Sequence, residues 1–218
     1  MTGRPTFAGG VYLVTDTELC GKFGVVETVR VAVAAGVKLV QIRDKMASDS
    51  DFYDLVVSTA NAVGGRALVL VNDRVEVFLA ARSYGAAVHG VHIGQNDMAP
   101  LEARRTVGPD ALIGLTANTP AHFADVHGLP EGTVDYLGVG VIHPTATKPD
   151  HPRPLGVDGF RDLTELSSLP CIAIGGISAT DMPLLRDAGA VGAAVVSAIC
   201  GAPDPRTSTE TLVAAWDQ

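Results

Sequence analysis

Eight short runs of Val, Ile, Leu and Ala recur along the 218 residues, with helical periodicity between them. The runs are continuously apolar, which is typical of strands buried on both faces of a parallel sheet. Eight strand–helix units of about 27 residues each predict an α/β chain folded as a single-domain (β/α)8 TIM barrel over residues 1–218. The predicted strands are 12–15, 38–43, 67–71, 88–93, 112–116, 136–139, 171–174 and 193–196.

Local signals mark the helices between these strands. Ser178 and Asp181 have the spacing of a capping box that opens a helix. Gly36 and Gly189 fall where a helix would end and a strand begin. A three-and-four spacing of apolar residues predicts a further helix through Phe52, Leu55, Val56 and Val63.

An open doubly wound sheet is the alternative fold, but no G-x-G-x-x-G, the dinucleotide-binding motif of that fold, follows the first strand.

Charge and cysteine usage narrow the function classes. The net charge of −8 argues against a nucleic-acid partner, because phosphate backbones need a basic surface. No signal peptide is recognisable, and the longest apolar run, at 188–200, is too short to cross a bilayer. The three cysteines lack metal-site spacing and predict buried free thiols. We therefore expect a cytoplasmic protein without a membrane partner, and the oligomeric state, a homo-oligomer included, stays open.

Polar residues gather where the predicted strands end, which is the rim that carries the active site in this fold. Strand 2 runs into Gln41-Ile42-Arg43-Asp44-Lys45. The alternation of a strand puts Gln41, Arg43 and Lys45 on one side. Two cations and an amide can hold phosphate oxygens, the guanidinium as a planar fork and the ammonium as a point charge.

Two carboxylates follow strands 3 and 4. Asn72-Asp73-Arg74 comes after strand 3, and the stretch from His92 to Asp97 after strand 4. Adjacent strands lie about 4.8 Å apart, so Asp73 and Asp97 can share a divalent ion such as Mg²⁺. Taken alone, Asp73 reads more simply as a helix N-cap and His92 as a core histidine. Their position beside the cations favours a metal and ligand site.

The remaining strand ends predict two anion-binding regions. Thr116 ends strand 5, and a glycine-rich loop after strand 6 leads to two hydroxyls and an ammonium. Backbone N–H groups after strands 7 and 8 form the recurrent phosphate site of this fold. One region is therefore cationic and metal-assisted, and the other is built from backbone. The residues concerned are Thr116, Thr145, Ala146, Thr147, Lys148, Gly176, Val196 and Ser197.

Seven stretches in order resemble the signature of the thiamine-phosphate synthase (thiamine-phosphate pyrophosphorylase) family. Each match is modest alone, but the ordered set covers nearly the whole chain. The family joins 4-amino-2-methyl-5-hydroxymethylpyrimidine diphosphate to 4-methyl-5-(2-hydroxyethyl)thiazole phosphate and releases pyrophosphate. The stretches are 12–16, 41–45, 72–74, 92–97, 145–148, 173–177 and 195–199.

The resemblance implies a role for each matching residue. Asp73 and Asp97 would bind Mg²⁺, while Arg43, Lys45 and Lys148 would stabilise charge on the departing pyrophosphate. Tyr12 and His92 are expected in the pyrimidine pocket. The rest of the expected substrate-binding set is Gln41, Ile42, Arg43, Asp44, Lys45, Asn72, Thr116 and Lys148 for the pyrimidine diphosphate, and Thr145, Ala146, Thr147, Gly176, Val196 and Ser197 for the thiazole phosphate.

The chain departs from the family pattern in several places. Thr116 stands where Ser is expected, Asn118 replaces His, and Val141 replaces Pro. The segment from Asp73 to Asp97 is also about five residues longer than usual, which predicts a loop insertion around residues 82–89. Two alternatives remain: a thiazole tautomerase, which would not need the diphosphate-binding residues, and a non-catalytic protein that binds thiamine precursors.

Overall fold

The structure, a computed structural model, describes residues 3–145, 147 and 153–218. Eight parallel strands pair in chain order, and β8 pairs with β1 to close the barrel. This confirms the predicted barrel, and no strand end differs from its prediction by more than two residues. The strands are β1 (Gly10–Val14), β2 (Leu39–Ile42), β3 (Leu68–Asn72), β4 (Gly90–Ile93), β5 (Leu112–Thr116), β6 (Tyr136–Gly140), β7 (Cys171–Ile174) and β8 (Gly192–Val195).

Helices connect the strands around the outside of the barrel. Ser178 and Asp181 form the predicted capping box, although it opens a 3-10 turn, Ala179–Asp181, that leads into α8. Gly36 and Gly189 separate helix from strand with φ values of 117° and 93°, a region that favours glycine. The helices are α1 (Thr17–Cys20), α2 (Gly24–Ala34), α3 (Asp49–Val63), α4 (Val75–Ser83), α5 (Pro100–Val107), α6 (Pro120–His127), α7 (Gly156–Thr164), α8 (Met182–Asp187), α9 (Ser197–Cys200) and α10 (Pro205–Asp217).

Two apolar cores bury both faces of the sheet, as the continuous apolar runs predicted. The larger core lies between the sheet and the helices and includes Val40 and Ile42 of β2. The smaller one fills the barrel interior. Alternation along β2 therefore sends Leu39 and Gln41 inward and Val40 and Ile42 outward. The interior core is Tyr12, Val14, Leu39, Leu70, Leu112, Tyr136, Ile172 and Ala194.

The lengthened segment lies at the rim away from the carboxyl ends of the strands. Arg82 and Ser83 still belong to α4, and residues 84–89 run from the end of that helix to the start of β4. His89 accepts a hydrogen bond from the Val69 backbone N–H through Nδ1 at 3.0 Å, which anchors this connection. The insertion therefore does not lie between Asp73 and Asp97 in space.

A polar network closes the same rim between β5 and β6. The Asp135 carboxylate accepts hydrogen bonds from Arg4 at 2.5 Å, from Arg104 at 2.6 Å and from the Ile113 backbone at 2.7 Å. Arg104 also donates to the Gly108 and Ala111 carbonyls. Hydrogen bonds with charged groups stabilise more than neutral ones, so this network contributes to folding.

The three cysteines are buried and free, as predicted. Within the described part of the chain, no helix is long and apolar enough to cross a membrane.

Candidate functional site

A cavity of about 220 Å³ opens where the carboxyl ends of the strands meet. The barrel brings together residues that are far apart in the sequence, because parallel strands end at one rim. Thirteen of the residues expected from the sequence line it: Gln41, Arg43, Lys45, Asn72, Asp73, His92, Asp97, Thr116, Thr145, Thr147, Gly176, Val196 and Ser197.

The cations of one wall follow β2. The Arg43 backbone N–H donates to Thr15 Oγ1 at 2.9 Å, which fixes the end of the strand against β1. The Arg43 guanidinium lies 3.6 Å from the Asp16 carboxylate. Lys45, half exposed, forms an ion pair with Asp73 on the next strand. Each cation therefore faces the cavity paired with a carboxylate, and an anionic ligand can compete with that carboxylate for the cation.

Asp73 and Asp97 form a carboxylate pair beside Lys45. Asp73 has a φ of 57°, and among the described residues it is the one non-glycine residue with a positive φ. Aspartate tolerates this left-handed conformation better than most residues. The N-cap of α4 is Arg74, without a side-chain cap, so Asp73 does not serve as the N-cap.

Asp97 shows the closeness of the two carboxyl groups. It accepts a hydrogen bond from the Gly94 backbone at 2.7 Å. Partial desolvation raises the pKa of Asp97, and its hydrogen bond with Asp73 raises it further. Two carboxylates that oppose each other's ionisation are a donor set that suits a hard divalent cation, which relieves their repulsion. No larger cluster of His, Cys, Asp and Glu occurs among residues 3–145, 147 and 153–218.

Polar side chains cross the barrel interior under the cavity. Gln41 Nε2 donates to Tyr12 Oη at 2.6 Å, and Tyr12 Oη lies 3.1 Å from Tyr136 Oη. His92 Nδ1 is 2.8 Å from Tyr136 Oη, and His92 Nε2 is 3.1 Å from Thr116 Oγ1. Burial lowers the pKa of His92 to about 4, so this imidazole is neutral at pH 7.

The opposite wall joins the loop after β6 to the turn after β7. A Cβ at Gly176 would lie 2.8 Å from His143 Cβ and 2.9 Å from the Pro144 carbonyl, so glycine permits their close approach. His143 Nε2 lies 2.9 Å from Asp181 Oδ1 and ties the loop to the capping box. Thr145 and Thr147 line the cavity beside Gly176, and the Thr147 backbone N–H donates to Thr145 Oγ1 at 3.3 Å.

Three expected residues that the structure describes do not line the cavity. Tyr12 is buried beneath it, and Ile42 packs outward against the helices. Asp44 accepts hydrogen bonds from Thr17 Oγ1 and from the Met46 and Ala47 backbones, so it orders the loop after β2. Ala146 and Lys148 lie outside the described residues.

The sequence argument missed the apolar part of the cavity and several backbone positions. The apolar residues are the last inward-facing positions of their strands or follow them directly, so continuing the period-two alternation to the strand ends would have found most of them. The missed residues are Val14, Gly94, Asn118, Val141, Ile174, Gly175, Ile177, Ala194 and Val195.

Comparisons with known proteins place the chain in one family. The sequence model of the thiamine monophosphate synthase family matches residues 11–199. A thiamine-phosphate synthase of Psychrobacter sp. is 42% identical over 204 residues, which are 94% of this chain and 93% of that protein. One of Corynebacterium efficiens is 41% identical over 194 residues, 89% of each chain. The solved thiamine phosphate pyrophosphorylase from Pyrococcus furiosus is 31% identical, covers 95% of both chains and superposes with a TM-score of 0.82. The chain therefore belongs to the thiamine monophosphate synthase family.

Proposed function

We propose that this chain is a thiamine-phosphate synthase, a transferase that joins a pyrimidine diphosphate to a thiazole phosphate and releases pyrophosphate. The observation that carries the proposal is one cavity with two different polar walls, in a chain of this family. One wall has Arg43 and Lys45 beside the carboxylate pair of Asp73 and Asp97. The other has hydroxyls and the Gly176 backbone. Two phosphorylated substrates need two such regions.

The cationic wall suits the diphosphate. Arg43 offers a planar set of donors to phosphate oxygens, and Lys45 adds a compact charge. Asn72 and Thr116 reach the same cavity and complete the set of donors. Lys148, which matches the family pattern, is proposed for the same diphosphate. Because these charges are held in place before the reaction, they favour the state in which negative charge has moved onto the leaving group.

We propose that Mg²⁺ is held by Asp73 and Asp97 together with diphosphate oxygens. Mg²⁺ usually binds one or two carboxylates and takes its remaining ligands from phosphate and water. When bound, the ion would act as a Lewis acid that stabilises the charge of the leaving pyrophosphate. The carboxylate pair supports this assignment. Partial desolvation, and to a lesser extent the hydrogen bond with Asp73, raise the pKa of Asp97, and a bound cation would favour its ionised form.

The reaction needs charge stabilisation and positioning more than proton transfer. The carbon–oxygen bond between the pyrimidine methylene and the diphosphate breaks, and its electron pair leaves with pyrophosphate, so a carbocation remains at the methylene carbon. The thiazole nitrogen then supplies the electron pair of the new carbon–nitrogen bond. Thr145, Thr147 and Ser197 would hold the thiazole phosphate so that its ring faces the methylene carbon. The apolar floor of Val14, Ile174 and Ala194 would exclude water from the carbocation.

The proposed partners are these two small molecules and Mg²⁺. The net charge of −8 argues against a nucleic-acid partner. We infer a cytoplasmic location from the proposed substrates rather than from the fold. The unit of function proposed is one barrel domain over residues 1–218.

The decisive assay mixes the purified chain with both precursors and measures thiamine phosphate and pyrophosphate with and without Mg²⁺. We expect thiamine phosphate and pyrophosphate to form in equal amounts when Mg²⁺ is present, and neither to form without it. Lys45→Gln should lower kcat/KM by at least about tenfold. Lys38→Gln, at an exposed position directly before β2, is the matched control and should leave kcat/KM unchanged. Isomerisation of a thiazole phosphate without metal would indicate the tautomerase instead, and binding without turnover would indicate a non-catalytic binding protein.

A further inference from the structure

The polar side chains beneath the cavity form one continuous hydrogen-bonded chain through the barrel interior. This chain, called here the relay, comprises Gln41, Tyr12, Tyr136, His92 and Thr116 on β2, β1, β6, β4 and β5. Its successive distances are 2.6, 3.1, 2.8 and 3.1 Å. The two ends of the relay, Gln41 and Thr116, line the cavity. Tyr12 and Tyr136 lie below it and are almost fully buried, at 2% and 4% exposure.

The backbone leaves room for the relay through glycines on the neighbouring strands. A Cβ at Gly114 would lie 2.1 Å from Tyr136 Cζ and 2.5 Å from His92 Nδ1. A Cβ at Gly138 would lie 3.0 Å from His92 Cε1. Any side chain at Gly114 would therefore displace both rings. The fold places these rings in contact although their strands are not adjacent.

Proton counting leaves two arrangements in which all four contacts of the relay are hydrogen bonds. Each tyrosine has one proton to donate, and the imidazole, whose two ring nitrogens have hydroxyl oxygens as partners, is neutral with one donor and one acceptor nitrogen. If Gln41 donates to Tyr12, then Tyr12 donates to Tyr136 and Tyr136 donates to His92 Nδ1. His92 then carries its proton on Nε2 and donates to Thr116 Oγ1. The second arrangement reverses every bond. Any mixture forms fewer than four hydrogen bonds, because an O–H then lacks an acceptor or the two tyrosine oxygens face each other without a proton between them, which is costly in the buried interior.

The two arrangements present opposite groups to a ligand. In the first, Gln41 offers its carbonyl oxygen to the cavity and Thr116 offers its hydroxyl proton. Among the described residues, Gln41 Oε1 accepts no hydrogen bond, so it is available for a ligand donor. In the second arrangement, Gln41 offers N–H donors and Thr116 offers only lone pairs. An exocyclic amino group fits the first arrangement at Gln41, and an anionic oxygen fits it at Thr116.

We propose that the relay is a specificity device that locks the Gln41 amide as an acceptor and Thr116 as a donor, with Tyr12 and Tyr136 as positioning residues. It would thereby select an amino-substituted pyrimidine over its oxo analogue and link that selection to the diphosphate contact. The assignment to these substrate groups rests on the proposed function. The protonation order of the relay does not, and it is measurable without turnover.

The protonation order is tested by NMR of the ¹⁵N-histidine-labelled chain at pH 7, with the His92 signals assigned from a His92→Gln spectrum. We expect the proton on Nε2 and an unprotonated Nδ1 in the wild type. Tyr136→Phe should abolish this fixed tautomer, because Nδ1 loses its donor. A wild-type proton on Nδ1 would overturn the proposal, whether or not the chain makes thiamine phosphate.

The specificity claim is tested with Tyr136→Phe, which keeps the ring and removes the hydroxyl. Gln41 is then free to rotate its amide so that Oε1 accepts the Tyr12 proton. We expect kcat/KM for the aminopyrimidine diphosphate to fall about tenfold, discrimination against the oxo analogue to fall by a similar factor, and KM for thiazole phosphate to stay unchanged.

Two further variants guard against a purely structural effect. Tyr12→Phe removes the hydroxyl that accepts the hydrogen bond from Gln41, and it should also lower discrimination against the oxo analogue. The test therefore remains available if one of the two tyrosine variants does not fold. Tyr53→Phe, on the outer surface in α3, is the matched control and should behave as wild type. Loss of activity in Tyr136→Phe and Tyr12→Phe with unchanged discrimination would show that the tyrosines only support the fold.

Discussion

The carboxylate pair offers the sharpest single perturbation, Asp73→Asn. Asparagine keeps the size of the side chain and also tolerates the φ of 57° at this position. It removes one negative charge from the pair with Asp97 and from the contact with Lys45. If the two carboxylates hold Mg²⁺, the variant has half of the protein charge that attracts the ion, and it should need more Mg²⁺ for the same rate.

The size of this effect follows from Coulomb's law. A unit charge and a divalent ion about 4 Å apart interact by about 8 kcal/mol at the effective dielectric constant near a protein surface, twice the value for two unit charges. Solvent at this partly exposed site screens much of this, and the amide oxygen of asparagine can still coordinate the ion. We therefore expect a loss of about 2–3 kcal/mol, which is about 30- to 150-fold in apparent Mg²⁺ affinity.

The assay is a Mg²⁺ titration of the initial rate at saturating precursors. Asp54→Asn, on the exposed face of α3, is the matched control and should titrate as wild type. An Asp73→Asn curve that overlays the wild-type curve would refute the metal assignment. A uniformly lower rate with an unchanged midpoint would also refute it, since the carboxylate would then act without the ion.

Three further predictions concern stability and burial. Arg104→Met should lower the free energy of unfolding by about 3 kcal/mol and Tm by about 6–12 °C, whereas exposed Arg105→Met should change Tm by only about 1 °C. Burial opposes ionisation of Asp181, but its hydrogen bonds with Ser178 lower its pKa. Asp181→Asn should therefore lower Tm by about 2–4 °C at pH 7. The difference in Tm between variant and wild type should vanish as the pH falls below about 3.9, the pKa of this carboxyl in the unfolded chain, and through its lower pKa in the folded protein. A thiol reagent should label the three buried cysteines only after unfolding, and rapid labelling of the folded chain would contradict their burial.

The sequence predicted the barrel and most of the rim for one physical reason. Parallel strands are buried on both faces, so their runs are continuously apolar and their ends are marked by the first polar residues. Gln41 lies near the end of β2, Asp73 follows β3 directly and Asp97 comes three residues beyond β4. Closure of the sheet brings them together. Ile42 was expected from the resemblance to touch substrate, whereas its place in the strand alternation already pointed it outward.

The interior of the barrel was less accessible to sequence reasoning. Tyr136 reads as one more apolar strand residue, and nothing in its neighbourhood along the chain marks its hydrogen bond with His92. That contact joins β4 to β6 across the missing side chain of Gly114 on β5, so it depends on three strands at once. Asp44 likewise shares the polar run after β2 but turns back to its own loop. Such contacts depend on closure of the barrel rather than on sequence spacing.

The central claim is that Asp73 and Asp97 bind Mg²⁺ on a diphosphate beside Arg43 and Lys45. A crystal soaked with Mg²⁺ and pyrophosphate tests it directly. The account predicts an octahedral ion with oxygens of both carboxylates and of pyrophosphate at about 2.1 Å. Pyrophosphate bound elsewhere, or bound at these cations with no ion between it and the two carboxylates, would contradict it.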